Sequence, residues 1–136
     1  SYNAKFWTET VARFRDHYDL PDDCRILDVG CAKCFMLHDF SILMPDATLA
    51  GIDVSEYAIT NAIEDMRPIV STGSADDLQF DDNSFDLVIS INTIHNLDRE
   101  GCLRAYKEIE RVGRGNAFVM VDGWMLLMTS LTGSYV

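Results

Sequence analysis

One short stretch constrains the fold more than any other. Residues 25–34 read RILDVGCAKC, an apolar run that ends at Val29, breaks at Gly30 and continues as a helix-like segment towards Phe40. A strand, a glycine turn and a helix in this order are typical of the first βαβ unit of a nucleotide-binding fold. The stretch therefore predicts an α/β protein whose ligand lies at the end of the first strand.

A carboxylate follows the next apolar run at the distance that such a site requires. Residues 48–52 read TLAGI, and Asp53 comes directly after them. Asp53 lies about twenty residues beyond the first turn, where an acid on the tip of the second strand can accept both hydroxyls of a ribose. We therefore expect Gly30 and Asp53 to lie together at one edge of the sheet.

Size, charge and cysteine content narrow the classes of partner. The 136 residues suit one domain, expected over residues 1–136. The net charge of -11 disfavours nucleic acids and anionic membrane surfaces, which are themselves negatively charged. No apolar run reaches the roughly eighteen residues that a membrane-spanning helix needs. The four cysteines lack the density of a disulfide scaffold, which favours free thiols and a cytoplasmic location.

Helical and strand patterns alternate along the chain. Residues 3–18 predict an amphipathic helix, whose Phe6 and Trp7, together with Tyr2, could form a lid over the site. Strands are predicted over residues 25–29, 48–52, 68–72, 85–91 and 117–121, and helices over about 33–43 and 99–112. Between them, Ser55 is expected to cap a further helix, whose inner face is formed by Ala58, Ile59, Ala62 and Ile63. This alternation predicts a doubly wound, mainly parallel sheet with helices on both faces. The last helix is expected to bury Leu103, Tyr106, Ile109 and Val112.

Four motifs together resemble a known family. They are ILDVGCAKC, AGIDVSEYAI, GSADDLQFDDNSFDLVIS and VMVDGW, spread over roughly residues 20–123. In this order they resemble the class I S-adenosylmethionine-dependent methyltransferases of the small-molecule type. The resemblance implies a Rossmann-like fold, S-adenosyl-L-methionine as the cofactor and a small-molecule methyl acceptor. It divides the chain into an N-terminal helix or lid (1–20), a cofactor-binding core (21–123) and a shortened C-terminal segment (124–136).

The resemblance also assigns roles to residues. It implies that the loop from Gly30 passes under the methionine portion of the cofactor, that Asp28 helps to position this loop and the ammonium group, and that Asp53 holds the ribose. The full set of implied cofactor-binding residues is Asp28, Gly30, Cys31, Ala32, Asp53, Val54, Ser74, Ala75, Ser90 and Asn92. Ser74 and Ala75 would lie near the adenine, and residues 90–92 near the sulfonium and the substrate.

His95 is the candidate catalytic residue. It follows the predicted central strand, in INTIHNL, where it could take a proton from an attacking hydroxyl or amine. The alternative is a histidine that only packs or starts a helix. Methyl transfer depends mainly on aligning the nucleophile with the methyl carbon and the sulfur, so a base is not obligatory.

The first motif departs from the family pattern. The signature Asp-x-Gly-x-Gly-x-Gly keeps only Gly30 here, with Ala32 and Cys34 in place of the other glycines. Glycines allow positive φ and a close approach of backbone to ligand, so the two replacements leave weak cofactor binding as an open alternative. A catalytically silent binding module of the same fold is therefore one alternative. An NAD-type oxidoreductase is another, although its G-x-G-x-x-G fingerprint is absent and Asp28 argues against it.

Cys31 and Cys34 also form a C-x-x-C pair at a helix start, a pattern found in redox and metal sites. Zinc would need further ligands, for which only Cys24, His38 and Cys102 are candidates, so no metal site is predicted.

The C-terminal segment is shorter than the family pattern. Family members continue past the fifth strand with a helix and an antiparallel hairpin, whereas residues 123–136 cannot form all three. The resemblance therefore implies a truncated C-terminal part. The fifth strand would then be an exposed edge, which a homodimer could cover.

Overall fold

Strands and helices alternate through most of the chain. The computed structural model describes residues 4–91, 93–121 and 124–128. The helices are α1 (Ala4–His17), α2 (Phe35–Leu43), α3 (Glu56–Thr60) and α4 (Arg99–Val112), with 3₁₀ turns at Glu64–Ile69 and Ile94–Asn96. The strands are β1 (Arg25–Val29), β2 (Thr48–Asp53), β3 (Val70–Thr72), β4 (Leu87–Ile91), β5 (Ala117–Val121) and β6 (Trp124–Met128).

The strands form one sheet in the order β3-β2-β1-β4-β5-β6, in which β1 to β5 are parallel. The predicted Rossmann-like, doubly wound architecture is confirmed. The order reverses at β1, which pairs with β2 on one side and β4 on the other. In sheets of this kind, ligands bind beyond the carboxyl ends of the strands at the reversal. Gly30, the residue directly after β1, lies there.

Both faces of the sheet are covered. On one face, Phe14 of α1 and Phe40 of α2 pack against strand residues such as Ile26. On the other face, Ile109 of α4 packs with Leu27 and neighbouring strand residues. Successive residues of a strand point to opposite faces, so β1 and β4 are buried on both sides and read as continuous apolar runs.

The predicted amphipathic helix at the N-terminus packs on the sheet. Val11 and Phe14 of α1 are buried, and the Phe14 ring meets Phe118 of β5 edge-on at 4.9 Å. The Tyr18 hydroxyl donates to the Ala117 carbonyl at 3.1 Å, and burial raises the pKa of Tyr18 to about 12. This end of the helix is therefore fixed to β5.

The region between β2 and β3 differs from the prediction. The helix that Ser55 caps ends at Thr60, and none of its own residues is buried, although Ala62 just beyond it is. Pro68 lies in a 3₁₀ turn rather than in a strand, and β3 begins only at Val70. A proline has no N–H to donate to a strand ladder, which explains the shorter strand.

The buried face of α4 is also shifted from the prediction. Asp98 caps the helix as its position suggests, accepting from the Gly101 amide at 2.7 Å. Leu103, however, is 53% exposed, so the prediction that it is buried is wrong. The buried stripe follows Ala105, Ile109 and Val112 at helical spacing, and a residue two positions before Ala105 lies on the opposite side of the helix.

β5 is not an edge strand, and the prediction that it would be exposed is wrong. β6 pairs with it antiparallel, from Val121↔Trp124 to Ala117↔Met128. An antiparallel neighbour needs only a short connection, so a segment too short for a helix and two strands can still add one strand. This removes the reason for which a homodimer was expected. Within the described residues, no helix has the length and apolar character needed to cross a membrane.

Candidate functional site

The ends of β1 and β2 are joined by hydrogen bonds. The amides of Gly30 and Cys31 both donate to the Ile52 carbonyl, at 2.7 and 2.9 Å. The next amide, that of Ala32, donates to Asp53 Oδ2 at 2.9 Å. The loop after β1 therefore lies against the acid at the end of β2, which is the relationship that the strand order requires.

Asp53 is held in a fixed orientation. Its Oδ2 accepts from Ala32 and its Oδ1 accepts from the Ser55 amide at 2.9 Å. A carboxylate oxygen has two lone pairs, so each oxygen can accept one more hydrogen bond. Asp53 can thus accept two further hydroxyl groups without giving up its contacts to the protein.

Two adjacent cavities open at these strand ends. The first, of about 400 Å³, is lined by Trp7, Asp28, Gly30, Cys31, Ala32, Lys33, Cys34, Phe35, Met36 and Ile91. The second, of about 480 Å³, is lined by Gly30, Ala32, Asp53, Val54, Ser74, Ala75, Ile91, Thr93, Asn96 and Leu97. Gly30, Ala32 and Ile91 line both cavities. A ligand with two different ends could therefore occupy both by crossing the loop after β1.

The Asp28 carboxyl group lies in the first cavity and is nearly buried, with 5% of the residue exposed. Burial, followed by the negative charge of Asp53, raises the pKa of Asp28 to about 7. Within the described residues no hydrogen bond reaches this carboxyl group. Lys33 lines the same cavity, but no ion pair joins it to Asp28 in the described part of the chain, so a cationic group of a ligand could pair with this carboxyl group.

Both the backbone conformation at position 30 and the close contact with Thr93 require a glycine there. Its φ is +83°, and a Cβ placed there would lie 1.9 Å from Thr93 Oγ1. The Thr93 hydroxyl is within hydrogen-bond distance of the Val29 carbonyl, at 3.1 Å, and of the Ile91 carbonyl, at 3.2 Å. Thr93 therefore joins the ends of β1 and β4. Sequence reasoning did not single it out, and its only signal was a small hydroxyl residue just past β4.

The two residues that replace glycines keep the backbone that glycines would adopt. Ala32 has φ 50° and Cys34 has φ 68°, both in the left-handed region. That region costs about 1–2 kcal/mol for a residue with a Cβ. The loop thus retains the shape of a glycine-rich turn at a cost in backbone strain.

Cys31 and Cys34 lie at the two ends of one turn in this loop. The Cys34 amide donates to the Cys31 carbonyl at 2.8 Å, closing a turn. A hydrogen bond to Cys34, together with burial, raises the pKa of the Cys31 thiol well above its ordinary value. Within the described residues, no three histidine, cysteine, aspartate or glutamate side chains converge as metal ligands. The spacing alone therefore does not favour a zinc site.

The loop after β3 lines the second cavity with Ser74 and Ala75. The first residue of this loop is held against the end of β2, because the Gly73 amide donates to the Asp53 carbonyl at 3.0 Å. The Ser74 hydroxyl donates to Asp76 Oδ1 at 2.5 Å, and this bond, followed by that from Arg104, lowers the pKa of Asp76. Hydrogen bonds of its own side chains therefore help to order the loop after β3.

Arg111 of α4 fixes the rest of this loop. Its guanidinium donates to the carbonyls of Leu78 and Phe80, each at 2.8 Å, and to Glu108 Oε2 at 2.6 Å. Glu108 Oε1 accepts from the Leu78 amide at 2.9 Å, and the bond to Arg111 lowers the pKa of Glu108. Sequence reasoning missed this clamp, because its partners lie some thirty residues apart along the chain.

One residue of the predicted set lies away from the cavities, and two others fall outside the described side chains. Ser90 is fully buried inside the sheet, paired in register with Val29, and its hydroxyl has no hydrogen-bond partner in the described part of the chain. It lines neither cavity, whereas Ile91, one residue further, lines both. Asn92 lies outside the described residues. His95 is in the 3₁₀ turn Ile94–Asn96, and its side chain is also outside the description.

The predicted lid is only partly placed. Trp7 lines the first cavity, and Phe6 packs edge-on against it, with the ring centroids 5.0 Å apart. Phe6 itself is 55% exposed, and Tyr2 lies outside the described residues. α1 thus contributes one aromatic side chain to the site.

Comparison with known families gives a match over most of the core. A family model described as a methyltransferase domain matches residues 26–116. The matched segment includes β1, the loop with Gly30, Asp53, the loop after β3 and α4.

Comparison with solved structures gives the same fold. The PH0226 protein from Pyrococcus horikoshii is 26% identical, with a TM-score of 0.68, over 88% of this chain and 58% of that one. A putative S-adenosyl-L-methionine-dependent methyltransferase from Methanococcus maripaludis is 14% identical, with a TM-score of 0.73, over 85% and 55%. The cyclase SpnF is 22% identical, with a TM-score of 0.68, over 82% and 43%. The chain thus spans about half the length of these proteins.

Proposed function

Because the chain belongs to the family of S-adenosylmethionine-dependent methyltransferase domains, we propose that its two cavities bind one molecule of S-adenosylmethionine and that it methylates a small molecule. S-adenosylmethionine is the cofactor of this class. When bound, it supplies an electrophilic methyl group on a sulfonium centre. The residues of the chain would bind and orient the cofactor and exclude water from the site.

The observation that carries this proposal is the junction of Gly30, Ala32 and Asp53. It puts the oriented carboxylate in the second cavity and the turn after β1 between the two cavities. In the second cavity, Asp53 would hold the ribose hydroxyls of an adenosine, and Val54 and Ala75 would contact its base. The residues of the first cavity would hold the amino-acid end of the same molecule.

The charges of the site suit this cofactor. S-adenosylmethionine has a cationic sulfonium and an ammonium group but no phosphate. Asp28 lines the first cavity and has no described ion pair, even with Lys33 of the same cavity, and Asp53 lines the second. A dinucleotide would instead place a pyrophosphate close to the loop after β1, where these two carboxylates repel anions. The NAD-type alternative is therefore the less favoured one.

For the reaction, the proposal is direct displacement at the methyl carbon. The acceptor would approach from the side of β4, where Ile91 and Thr93 border the cavities. Alignment of the acceptor with the methyl group and the sulfur would supply most of the rate, as expected when a bimolecular step becomes effectively intramolecular. His95 stays the candidate for a base. The acceptor as a small molecule and a cytoplasmic location also stay predictions, supported by the net charge of -11 and by free thiols.

A second candidate is a binding module without turnover. Two observations favour it: the strained residues Ala32 and Cys34 in the loop, and Thr93 packed over Gly30 between the strand ends. Each could weaken binding of a ligand that must cross this loop. The same fold also occurs in the cyclase SpnF, so the fold alone does not decide the reaction.

Calorimetric titration separates these candidates. The proposal predicts heat on addition of S-adenosylmethionine or S-adenosylhomocysteine and none on addition of NAD. Binding of the first two ligands without methyl transfer to any of a panel of small hydroxyl, amine and thiol compounds would favour the binding module. Binding of NAD alone would contradict both candidates and support the oxidoreductase.

A further inference from the structure

Cys31 and Cys34 face each other across the turn after β1. The bond from the Cys34 amide to the Cys31 carbonyl, at 2.8 Å, joins residues three positions apart, as in a β-turn. The Cα atoms at the ends of a β-turn lie within about 7 Å, and a disulfide needs a Cα separation of about 4.4–6.8 Å. The two thiols also lie near one acceptor, the Ala32 carbonyl oxygen, at 3.6 Å from Cys34 Sγ and 4.0 Å from Cys31 Sγ. The backbone therefore already brings this pair close to the separation of a disulfide.

The pair is shielded from large molecules but can be reached by small ones. Cys31 is 6% and Cys34 is 1% exposed, yet both line the first cavity, which opens to solvent. Cys24 is buried elsewhere in the core, and the Cys102 thiol donates to the Ile94 carbonyl at 3.1 Å. Among the described cysteines, only Cys31 and Cys34 contact the same carbonyl oxygen and line the same cavity.

We propose that Cys31 and Cys34 are a reversible disulfide site whose oxidation by a small hydroperoxide weakens ligand binding at the strand ends. In the first step one thiol, as its thiolate, attacks a peroxide oxygen, giving a sulfenic acid and, from hydrogen peroxide, one water. In the second step the other thiol displaces that hydroxyl as water and forms the S–S bond. The two sulfurs are oxidised, the peroxide is reduced, and a dithiol reductant reverses the change.

The position of each thiol suggests the order of the steps. The raised pKa of Cys31 keeps its thiol protonated near neutral pH. Cys34 is therefore expected to react first with the peroxide and Cys31 to resolve the sulfenic acid.

Ala32 couples this site to ligand binding. Its carbonyl is contacted by both thiols, by Cys34 Sγ at 3.6 Å and by Cys31 Sγ at 4.0 Å, while its amide donates to Asp53. Oxidation removes both S–H donors and draws the sulfurs to about 2.05 Å from each other. The peptide groups on either side of Ala32 must then shift, and with them the bond to Asp53. The effect on affinity rests on the proposed function, whereas the disulfide and the shift of Ala32 do not.

Lys33 makes the disulfide easy to detect. Trypsin cleaves after Lys33, between the two cysteines. After treatment of the whole chain with hydrogen peroxide, the two flanking tryptic peptides are expected to stay linked, each thiol having lost its hydrogen. Dithiothreitol should separate them. Cys34→Ser should abolish the linked pair of peptides. Cys31→Ala should do the same and replaces the first variant if that one does not fold. Cys102→Ser is the control, which should behave as the parent does.

Two further readouts test the coupling. In the oxidised protein the Ala32 amide should exchange its hydrogen faster, and affinity for S-adenosylhomocysteine should fall about tenfold, equivalent to about 1.4 kcal/mol. Absence of the linked peptides would overturn the disulfide site. A linked pair with unchanged exchange at Ala32 would overturn the coupling. If the reduced protein binds no S-adenosylhomocysteine, the proposed function fails, and the exchange rate of Ala32 still decides for or against the coupling.

Discussion

The Ala32 amide donates a hydrogen bond to the Asp53 carboxylate at 2.9 Å, and this bond joins the turn after β1 to the end of β2. One residue thus borders both cavities and also orients the acid that faces the second. Because an alanine occupies this position in the left-handed region, the junction is at the centre of the site and is also strained.

Replacing Ala32 by glycine should relieve strain. The left-handed backbone of Ala32, at φ 50°, costs about 1–2 kcal/mol. A glycine removes this cost, but it lowers the free energy of unfolding by about 0.5–1 kcal/mol because the unfolded chain gains conformational freedom. We expect Ala32→Gly to leave the free energy of unfolding unchanged or to raise it by up to about 1 kcal/mol, as measured by urea denaturation.

The matched control is Ala12→Gly, because Ala12 lies inside α1 with ordinary helical backbone. This variant should lose about 1 kcal/mol. If Ala32→Gly were as destabilising as Ala12→Gly, Ala32 would not be strained.

Asp28 should make stability depend on pH. Its pKa in the folded protein is about 7, against an ordinary value of 3.8, so the folded form keeps a proton that the unfolded form releases. As pH rises from about 4 to about 7, the parent should therefore lose stability relative to Asp28→Asn, by up to about 4 kcal/mol. Urea denaturation of both proteins at several pH values measures this difference. Parallel curves for the two proteins would mean that the pKa of Asp28 is not raised.

The same carboxyl group should make ligand binding depend on pH. A cation in the first cavity attracts ionised Asp28 but not its protonated form. Affinity of the parent for S-adenosylhomocysteine, which has an ammonium group, should therefore rise between pH 6 and 8, whereas that of Asp28→Asn should stay nearly constant over the same range. Equal pH profiles in calorimetry would remove Asp28 from the ligand site.

Arg111 should support the second cavity from a distance. It donates to the carbonyls of Leu78 and Phe80 in the loop that carries Ser74 and Ala75. Replacement by methionine keeps much of the apolar stem but leaves these carbonyls without their donor. We expect Arg111→Met to lower the free energy of unfolding by about 1–2 kcal/mol, and to weaken binding of adenosine. Lys107→Met, on an exposed residue of the same helix, is the control, and equal behaviour of the two variants would exclude a clamp.

The parts of the site that the sequence predicts are those with strong local signals. The apolar runs of β1 and β2, with Gly30 and Asp53 directly after them, place the ends of adjacent parallel strands without any knowledge of the rest. In a doubly wound sheet, that order alone brings the two residues together. The family resemblance added the second cavity through Ser74 and Ala75.

The features that sequence reasoning missed depend on distant partners or on small differences in backbone. The clamp by Arg111 joins residues more than thirty positions apart, and nothing near Arg111 indicates its partners. Ser90 was assigned to the site although the alternation of side chains along β4 directs it into the core. The contact of Thr93 with Gly30 depends on how the chain leaves β4, which no local pattern specifies.

Calorimetry on Asp53→Ala tests the central claim most directly, namely that the ends of β1 and β2 hold one adenosine. Titration with S-adenosylhomocysteine would compare the parent, Asp53→Ala and Asp46→Ala, which replaces an exposed aspartate before β2. Circular dichroism would first establish that both variants are folded. The account predicts a loss of about 1.5–3 kcal/mol in binding free energy for Asp53→Ala, the range for a hydrogen bond to a charged group, and no loss for Asp46→Ala. Equal affinity of all three proteins would contradict it.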